Sequence, residues 1–493
     1  MLKFDKKTKI VATIGPASES LEKLQQLYDA GVNVFRLNFS HGDHAEHGKK
    51  IDNIRKLGLN GAIMLDTKGP EIRTGEVRGE LPVKVGDKVV FTVEKGVYED
   101  TKKISVNYPG FIDDINVGDK ITIDSGVILA QATKKSGKDI EFEIIEGHGK
   151  ITTKRHINLF GNPVSLPTVT EQDWKDIDFG IEKGVDMIAL SFVRSGEDVA
   201  KVREYCRSKG ANIQIIAKIE NYEATQNLED IVMESDGIMV ARGDLACEIP
   251  YGKVPSMQKK MVALCSYYNK PVIIATQMLL SMVENIQPTR AEVSDVANAV
   301  FEHADAVMTS DETTKGVDPV HVINTMATIV KDTEEEIYNC GCCDEDCDCK
   351  DGGKCNCGEH CDCDDDCDCE EGCDCECCNG GECQGVISIL PEITDDVEVI
   401  AVVHPDDEYV RNITAARLAT PVIFFTNDEK IANQSNLIWN TEPVFDKAIS
   451  DDFAKNVKLV DKFMAKYDVK KYLLVTDMVD GKKVCPTVQV RTL

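Results

Sequence analysis

The stretch MIALSFVRSGEDVAKVREYCRSKGANIQIIAKIE, Met187–Glu220, carries the reading of the fold. It opens on a short apolar run, passes through a longer helical stretch, and returns to a second apolar run ending on Lys218 and Glu220. Near-continuous apolar strands of this kind are buried on both faces, as in a parallel sheet covered by helices. The same unit recurs outward from there. Before it come KIVATIG from Lys9, VFRLNFS from Val34 and AIMLDTKG from Ala62; after it come GIMVARGD from Gly237, PVIIATQ from Pro271 and DAVMTS from Asp305. With MIALSFV and IIAKIE these make eight runs. The pattern predicts an α/β fold built on a (β/α)8 TIM barrel.

The third unit is interrupted. Between about residues 71 and 166 the chain alternates polar and apolar positions with turn signals, as in KVVFTV from Lys88 and DIEFEIIEG from Asp139. This predicts an inserted all-β lid domain at 71–166, with the barrel at 1–70 and 167–339. After residue 385 the runs EVIAVV, PVIFFT and YLLVTD predict a C-terminal α/β domain at 385–493.

Between these lies a segment of another kind, at 340–384. Sixteen of the chain's 20 cysteines fall between Cys340 and Cys383, with 16 Asp or Glu, two Lys and no aliphatic or aromatic residue. Removing its charge of −14 from the chain's −29 leaves −15 for the rest, an ordinary mildly acidic protein. Such a segment cannot bury an apolar core, so disorder is expected unless something organises it. Its Cys-x-Cys pairs recur every six residues: Cys355 and Cys357, Cys361 and Cys363, Cys367 and Cys369, Cys373 and Cys375. Thiolates at this density favour soft or borderline ions such as Zn²⁺ or Cu⁺, about four ions at four thiolates each. In composition the segment resembles metallothionein. Of the remaining four, Cys206, Cys247 and Cys265 read as small buried hydrophobes.

The acid excess repels phosphate backbones and anionic lipid, so neither nucleic acid nor a membrane surface is expected as a partner. No apolar run reaches the roughly 18 residues of a spanning helix. The N-terminus shows no signal-peptide pattern, and a cytoplasmic location is expected.

In barrels of this type chemistry sits at the carboxyl ends of the strands. There the sequence places Arg36, Asn38 and Ser40; Asp66, Thr67 and Lys68; Lys218 and Glu220; Arg242 and Asp244; Thr276; and Ser310. Two-residue spacing on a strand puts Arg36, Asn38 and Ser40 on one face, and likewise Lys218 and Glu220. Glu220 and Asp244 offer hard oxygens to Mg²⁺ or Mn²⁺. Arg36, Arg73 and Lys218 are cations suited to phosphate and to phosphoryl transfer. No Gly-Lys is followed by Ser or Thr, so there is no P-loop. The residues thus describe a metal-dependent enzyme acting on a small phosphorylated anion.

The strings IVATIGPAS, FRLNFSHG, LDTKGPEIRTG, IIAKIEN, IMVARGDL, IIATQMLLSM and PTRAEVSDVANAV, in this order, resemble the pyruvate kinase family. The resemblance implies phosphoryl transfer from phosphoenolpyruvate to ADP, giving pyruvate and ATP. It implies catalytic roles for Lys218, Thr276 and Arg36, and substrate contacts from Arg36, Lys218, Gly243, Asp244 and Thr276. It implies Mg²⁺ on Glu220 and Asp244, and K⁺ on Asn38, Ser40, Asp66 and Thr67. Glu71 in KGPE resembles the K⁺-requiring members. Arg73, His41 and Arg155 are implied nucleotide contacts, and a homo-oligomer, a tetramer in the family, is implied as the assembly.

The sequence also departs from the family pattern. RHINLFG places Arg155, His156 and Phe160 where Lys, Gly and Pro are usual in the lid-return motif. ARGDLAC carries Ala246 and Cys247 after Asp244. VVHPDDEYVR sets Asp406, Asp407 and Glu408 where the family's effector loop binds a sugar phosphate, so activation by fructose 1,6-bisphosphate is not expected. Two other readings stand beside the enzyme: a thiolate metal-buffering protein on a kinase-derived body, and a kinase regulated by metal or redox state.

Overall fold

The computed structural model describes residues 6–96, 102–161, 165–338, 390, 394, 397–450, 452–480 and 483–493. These fall into two units, one within Thr8–Val330 and the other comprising Lys331 onward with the residues up to Lys7.

The first unit begins with strands β1 (Lys9–Thr13), β2 (Val34–Asn38) and β3 (Ala62–Asp66). The chain then leaves for seven lid strands: β4 (Leu81–Lys84), β5 (Lys88–Thr92), β6 (Lys103–Ser105), β7 (Lys120–Ile123), β8 (Ile128–Ser136), β9 (Asp139–Ile151) and β10 (Ile157–Phe160). It returns for β11 (Met187–Leu190), β12 (Gln214–Ile219), β13 (Gly237–Ala241), β14 (Val272–Ala275) and β15 (Ala306–Thr309). The three early strands and the five late ones close into one all-parallel barrel, in the order β1-β15-β14-β13-β12-β11-β3-β2. Nearly every residue of these strands is buried, because neighbours fill the barrel on one side and helices cover the other.

The helices start where their capping residues stand. Ser20, Asp43 and Ser195 each accept from the backbone N–H three residues on, and Thr170 with Asp173, and Thr289 with Glu292, form capping boxes. Asp173 does more than cap. While its Oδ2 serves Thr170, its Oδ1 accepts from the Lys68 and Gly69 N–H groups, each at 3.1 Å. One buried carboxylate thus pins the exit to the lid and the start of the first helix after the return.

In the lid, pairing is antiparallel except between β5 and β6. Phe91, Phe111 and Phe142 centre its core, with Phe91 and Phe142 edge to face at 5.5 Å. The lid rests on the barrel through the short helix Arg242–Glu248. Thr122 Oγ1 donates to the Cys247 carbonyl at 3.0 Å, and Asn158 Nδ2 donates to Glu248 Oε1 at 3.2 Å.

In the second unit β16 (Val399–Val403), β17 (Val422–Thr426), β18 (Thr441–Phe445), β19 (Lys471–Asp480) and β20 (Lys483–Thr492) form one sheet in the order β18-β17-β16-β19-β20. Only the β19–β20 pair is antiparallel. Alternate residues of β16 enter two separate cores, Ile400 and Val402 in one, Val399, Ala401 and Val403 in the other, so both faces are covered. Just past β16, Asp406 accepts from the Glu408 N–H at 3.1 Å, and Asp407 pairs with Arg411 at 2.8 Å. The Cys-rich segment, with all eight Cys-x-Cys residues from Cys355 to Cys375, lies outside the described residues.

Candidate active site

Two expectations about the strand ends need correction. β2 stops at Asn38, so Ser40 does not continue its face; it sits in the following turn, where its N–H donates to Asn38 Oδ1 at 3.1 Å. β13 stops at Ala241, so Arg242 and Asp244 stand on the first turn of the helix Arg242–Glu248. The side chain of Asn38 closes the first turn locally, and in the second the backbone turns helical directly after the strand. Glu220 likewise lies one residue beyond β12.

At the centre of the barrel mouth Lys218 Nζ lies 2.9 Å from Asp66 Oδ1, 2.9 Å from Glu220 Oε1 and 2.6 Å from Ser191 Oγ. Arg36 reaches the other oxygen of Asp66, Nε to Oδ2 at 2.6 Å, and donates through Nη1 to Thr13 Oγ1 at 2.8 Å. Ser191 donates to the Thr67 carbonyl at 2.6 Å, and Thr67 Oγ1 accepts from the Ser191 N–H at 3.0 Å. Arg36, Asp66, Thr67, Lys218 and Glu220 are therefore brought together. Ser191 is a member that sequence reading missed; a lone Ser after an apolar run carries no motif.

The charges are held far from water. Burial alone would lower the Lys218 pKa, but Asp66 and Glu220 more than offset it, and the ammonium is held charged. Burial also opposes ionisation of Asp66, yet Arg36 and Lys218 prevail and depress its pKa. Glu220 and Asp244 go the other way. Burial raises both despite Lys218, and Asp244 adds to the rise at Glu220. Three carboxylates, Asp66, Glu220 and Asp244, thus share two cations, Arg36 and Lys218. A divalent ion fits that deficit, and one or two carboxylates are what Mg²⁺ uses when substrate oxygens complete its shell. Among the described residues no group of three or more His, Cys, Asp or Glu is arranged to hold a metal unaided.

Across the mouth Thr276 Oγ1 accepts from the Gly243 N–H at 2.9 Å. Thr276 has a φ of +68°, rare for a β-branched residue. Arg242 holds it there, donating to the Thr276 carbonyl at 2.7 Å and the Ala275 carbonyl at 3.1 Å while pairing with Asp295 at 2.7 Å. Arg242 is thus a positioning residue.

At the lid side Glu71 grips Arg73 with both oxygens, at 2.9 and 2.6 Å, and Lys68 Nζ stands 3.3 Å from Glu71. Burial works against the Glu71 charge, but Arg73 lowers its pKa overall. Arg155 lies next to Arg73 in backbone pairing, its carbonyl accepting from the Thr74 N–H at 2.8 Å. Its guanidinium is turned to lid partners, Asp124 at 3.0 Å and Thr152 at 2.5 Å. His41 is exposed and its carbonyl accepts from His47 at 2.7 Å. Ser310 donates its N–H to Glu312 at 2.7 Å, apart from the Lys218 cluster. Cys206, Cys247 and Cys265 are buried and free, with burial pushing the first two thiols up to about 11 and about 12.

The fold and the mouth together define a (β/α)8 barrel whose buried centre sets three carboxylates against two cations, a deficit that a divalent cation fits. The pyruvate kinase barrel-domain family matches over residues 5–323, and the chain belongs to that family. Pyruvate kinase from Geobacillus stearothermophilus is 51% identical over 340 residues, covering 67% of this chain and 58% of the relative. Plastidial pyruvate kinase 2 from Arabidopsis thaliana is 43% identical over 337 residues, with the same coverage. The chain thus matches 58% of the length of these curated relatives. The crystal structure of a pyruvate kinase from Cryptosporidium parvum superposes with a TM-score of 0.85 at 30% identity, covering 99% of this chain and 96% of that one. No helix among the described residues is long and apolar enough to cross a membrane.

Proposed function

We propose that this chain is a glycolytic, cytoplasmic pyruvate kinase that moves the phosphoryl group of phosphoenolpyruvate to ADP. The observation that carries the reading is Lys218, buried and held between Asp66 and Glu220 at the barrel mouth. A charged ammonium there stabilises the negative charge of the phosphoryl group in transit and of the enolate oxygen left behind. Arg36 binds the phosphoryl group. The Gly243 N–H and Thr276 take the substrate carboxylate, and Thr276 lies on the side from which the enolate carbon receives its proton, through water. Mg²⁺ on Glu220 and Asp244 would supply charge neutralisation at the substrate oxygens. K⁺ is assigned to Asn38, Ser40, Asp66 and Thr67, and the nucleotide to Arg73, His41 and Arg155. The assembly is a homo-oligomer, for which light scattering of the full chain is the check.

The test is ATP formation from phosphoenolpyruvate and ADP with Mg²⁺ and K⁺, on reduced protein. Sustained turnover that disappears without Mg²⁺ is expected; none under any of these conditions would refute the assignment.

A second reading concerns Cys340–Cys383, where the recurring Cys-x-Cys pairs favour metal binding. We infer that this segment binds Zn²⁺ or Cu⁺ as a thiolate cluster, about four Zn²⁺ at four thiolates each. Zinc titration of the reduced chain against a chain lacking the segment tests it, and repeating the kinase assay at each step separates a passive buffer from a regulatory element.

A further inference from the structure

Where the lid meets the barrel there is a cavity between β10 and the strand ends carrying Phe192 and Asn221. It has a volume of about 50 Å³, room for three to five waters at roughly 10–15 Å³ each, or for one small ring. Its wall is largely apolar, contributed by Pro70, Ile72, Leu159, Leu166 and Phe192. Asn158 interrupts that wall, as do the polar residues His156, Arg194 and Glu223. Asn158 is only 3% exposed, and its Oδ1 has no hydrogen-bond partner among the described residues. The amide is oriented by Glu248, which accepts from Asn158 Nδ2 at 3.2 Å and, at its other oxygen, from the Tyr222 N–H at 3.4 Å. The nitrogen end is thereby occupied and the oxygen end is left unmet. A buried amide oxygen without a donor is costly.

We propose that this cavity is a binding site for a small, mostly apolar molecule, ring-sized and carrying one hydrogen-bond donor, which the Asn158 oxygen accepts. The site joins the lid to the reaction centre. Its floor residue Phe192 is held at a φ of +54°, donates its N–H to Glu220 Oε2 at 2.7 Å, and packs so close to Gly69 that a Cβ on that glycine would lie 2.6 Å from the ring. A molecule wedged between β10 and Phe192 therefore bears on the lid and on Glu220 at once. The binding site itself does not depend on the phosphoryl-transfer reading.

Phenol and anisole make the test on the unaltered full chain, since they match in ring and differ in the donor. Phenol titrated by saturation-transfer NMR is expected to bind saturably and at least tenfold more tightly than anisole. Leu166→Trp, which fills the cavity from a half-buried position, should abolish phenol binding, and Asn158→Ala should reduce phenol to the anisole level. Equal binding of the two probes would show an apolar hole with no use for Asn158. Absence of saturable phenol binding would show a site kept by water only, and undiminished binding to the Leu166→Trp chain would place the probe elsewhere. Each of these three results overturns the proposal.

Discussion

Lys218 and Asp66 form a closed ion pair at 2.9 Å, with Asp66 wholly buried and its second oxygen taken by Arg36. Residues 152 positions apart are thus the electrostatic keystone of the barrel mouth. Removing one partner of a buried pair is damaging because it leaves the other uncompensated, at about 3–5 kcal/mol. Lys218→Met is therefore expected to lose activity by about a thousandfold or more and also to lower the melting temperature. Adding Asp66→Asn should restore part of the stability without restoring turnover. Calorimetry and steady-state kinetics on the single and double variants check this; stability and activity returning together would mean that Lys218 acts only structurally.

Thr276 poses a narrower question, because its hydroxyl and its backbone have separate jobs. The hydroxyl accepts from Gly243, while the φ of +68° is enforced by Arg242. Thr276→Ala leaves the backbone clamp in place and removes only the hydroxyl. We expect kcat to fall about 10- to 100-fold with little change in melting temperature, and Thr276→Ser to stay near wild type. If Ser and Ala behave alike, the hydroxyl has no part in the proton step.

The proposed K⁺ dependence rests on Glu71, which the family resemblance ties to the monovalent ion. Replacing K⁺ with tetramethylammonium should cut turnover at least about tenfold, the equivalent of 1.4 kcal/mol in the barrier. Glu71→Lys should shrink that ratio. Because Glu71 also holds Arg73 with both oxygens and faces Lys68, the same change sets three cations together. The KM for ADP should therefore rise in parallel. An unchanged cation ratio would remove Glu71 from the monovalent-ion argument.

The barrel was legible because burial on both faces leaves a strand few polar positions, and the runs from Lys9 to Asp305 stand out for that reason. The candidate site was legible only where a charged or hydroxyl side chain stands at the end of such a run, as at Lys218, Glu220 and Thr276. It was not legible where the backbone changes state within a motif. VFRLNFS reads as one strand, yet Asn38 closes a turn that carries Ser40 off its face, and ARGD turns helical at Arg242. The last strand, β20, escaped notice because Pro486 falls within it and polar residues such as Gln489 and Arg491 alternate along it. An edge strand tolerates both, since one side needs no ladder partner. Asn158 and Glu248, 90 residues apart, share no local pattern at all.

That pair yields the clearest pH dependence. Burial raises Glu248 to about 8, against an ordinary glutamate value of 4.5, and the hydrogen bonds from Asn158 and Tyr222 only partly oppose it. In the unfolded chain Glu248 loses its proton near the ordinary value, whereas in the fold it keeps it until about pH 8. Between those values the folded state binds more protons than the unfolded one, so this group's contribution to stability falls as pH rises from about 5 to about 8 and levels off above. Glu248→Gln cannot ionise and escapes the loss. Its melting temperature should match wild type near pH 5 and exceed it by several degrees near pH 8. Thermal unfolding of both proteins across that range is the measurement. A difference that does not change with pH would show that Glu248 is already ionised in the fold.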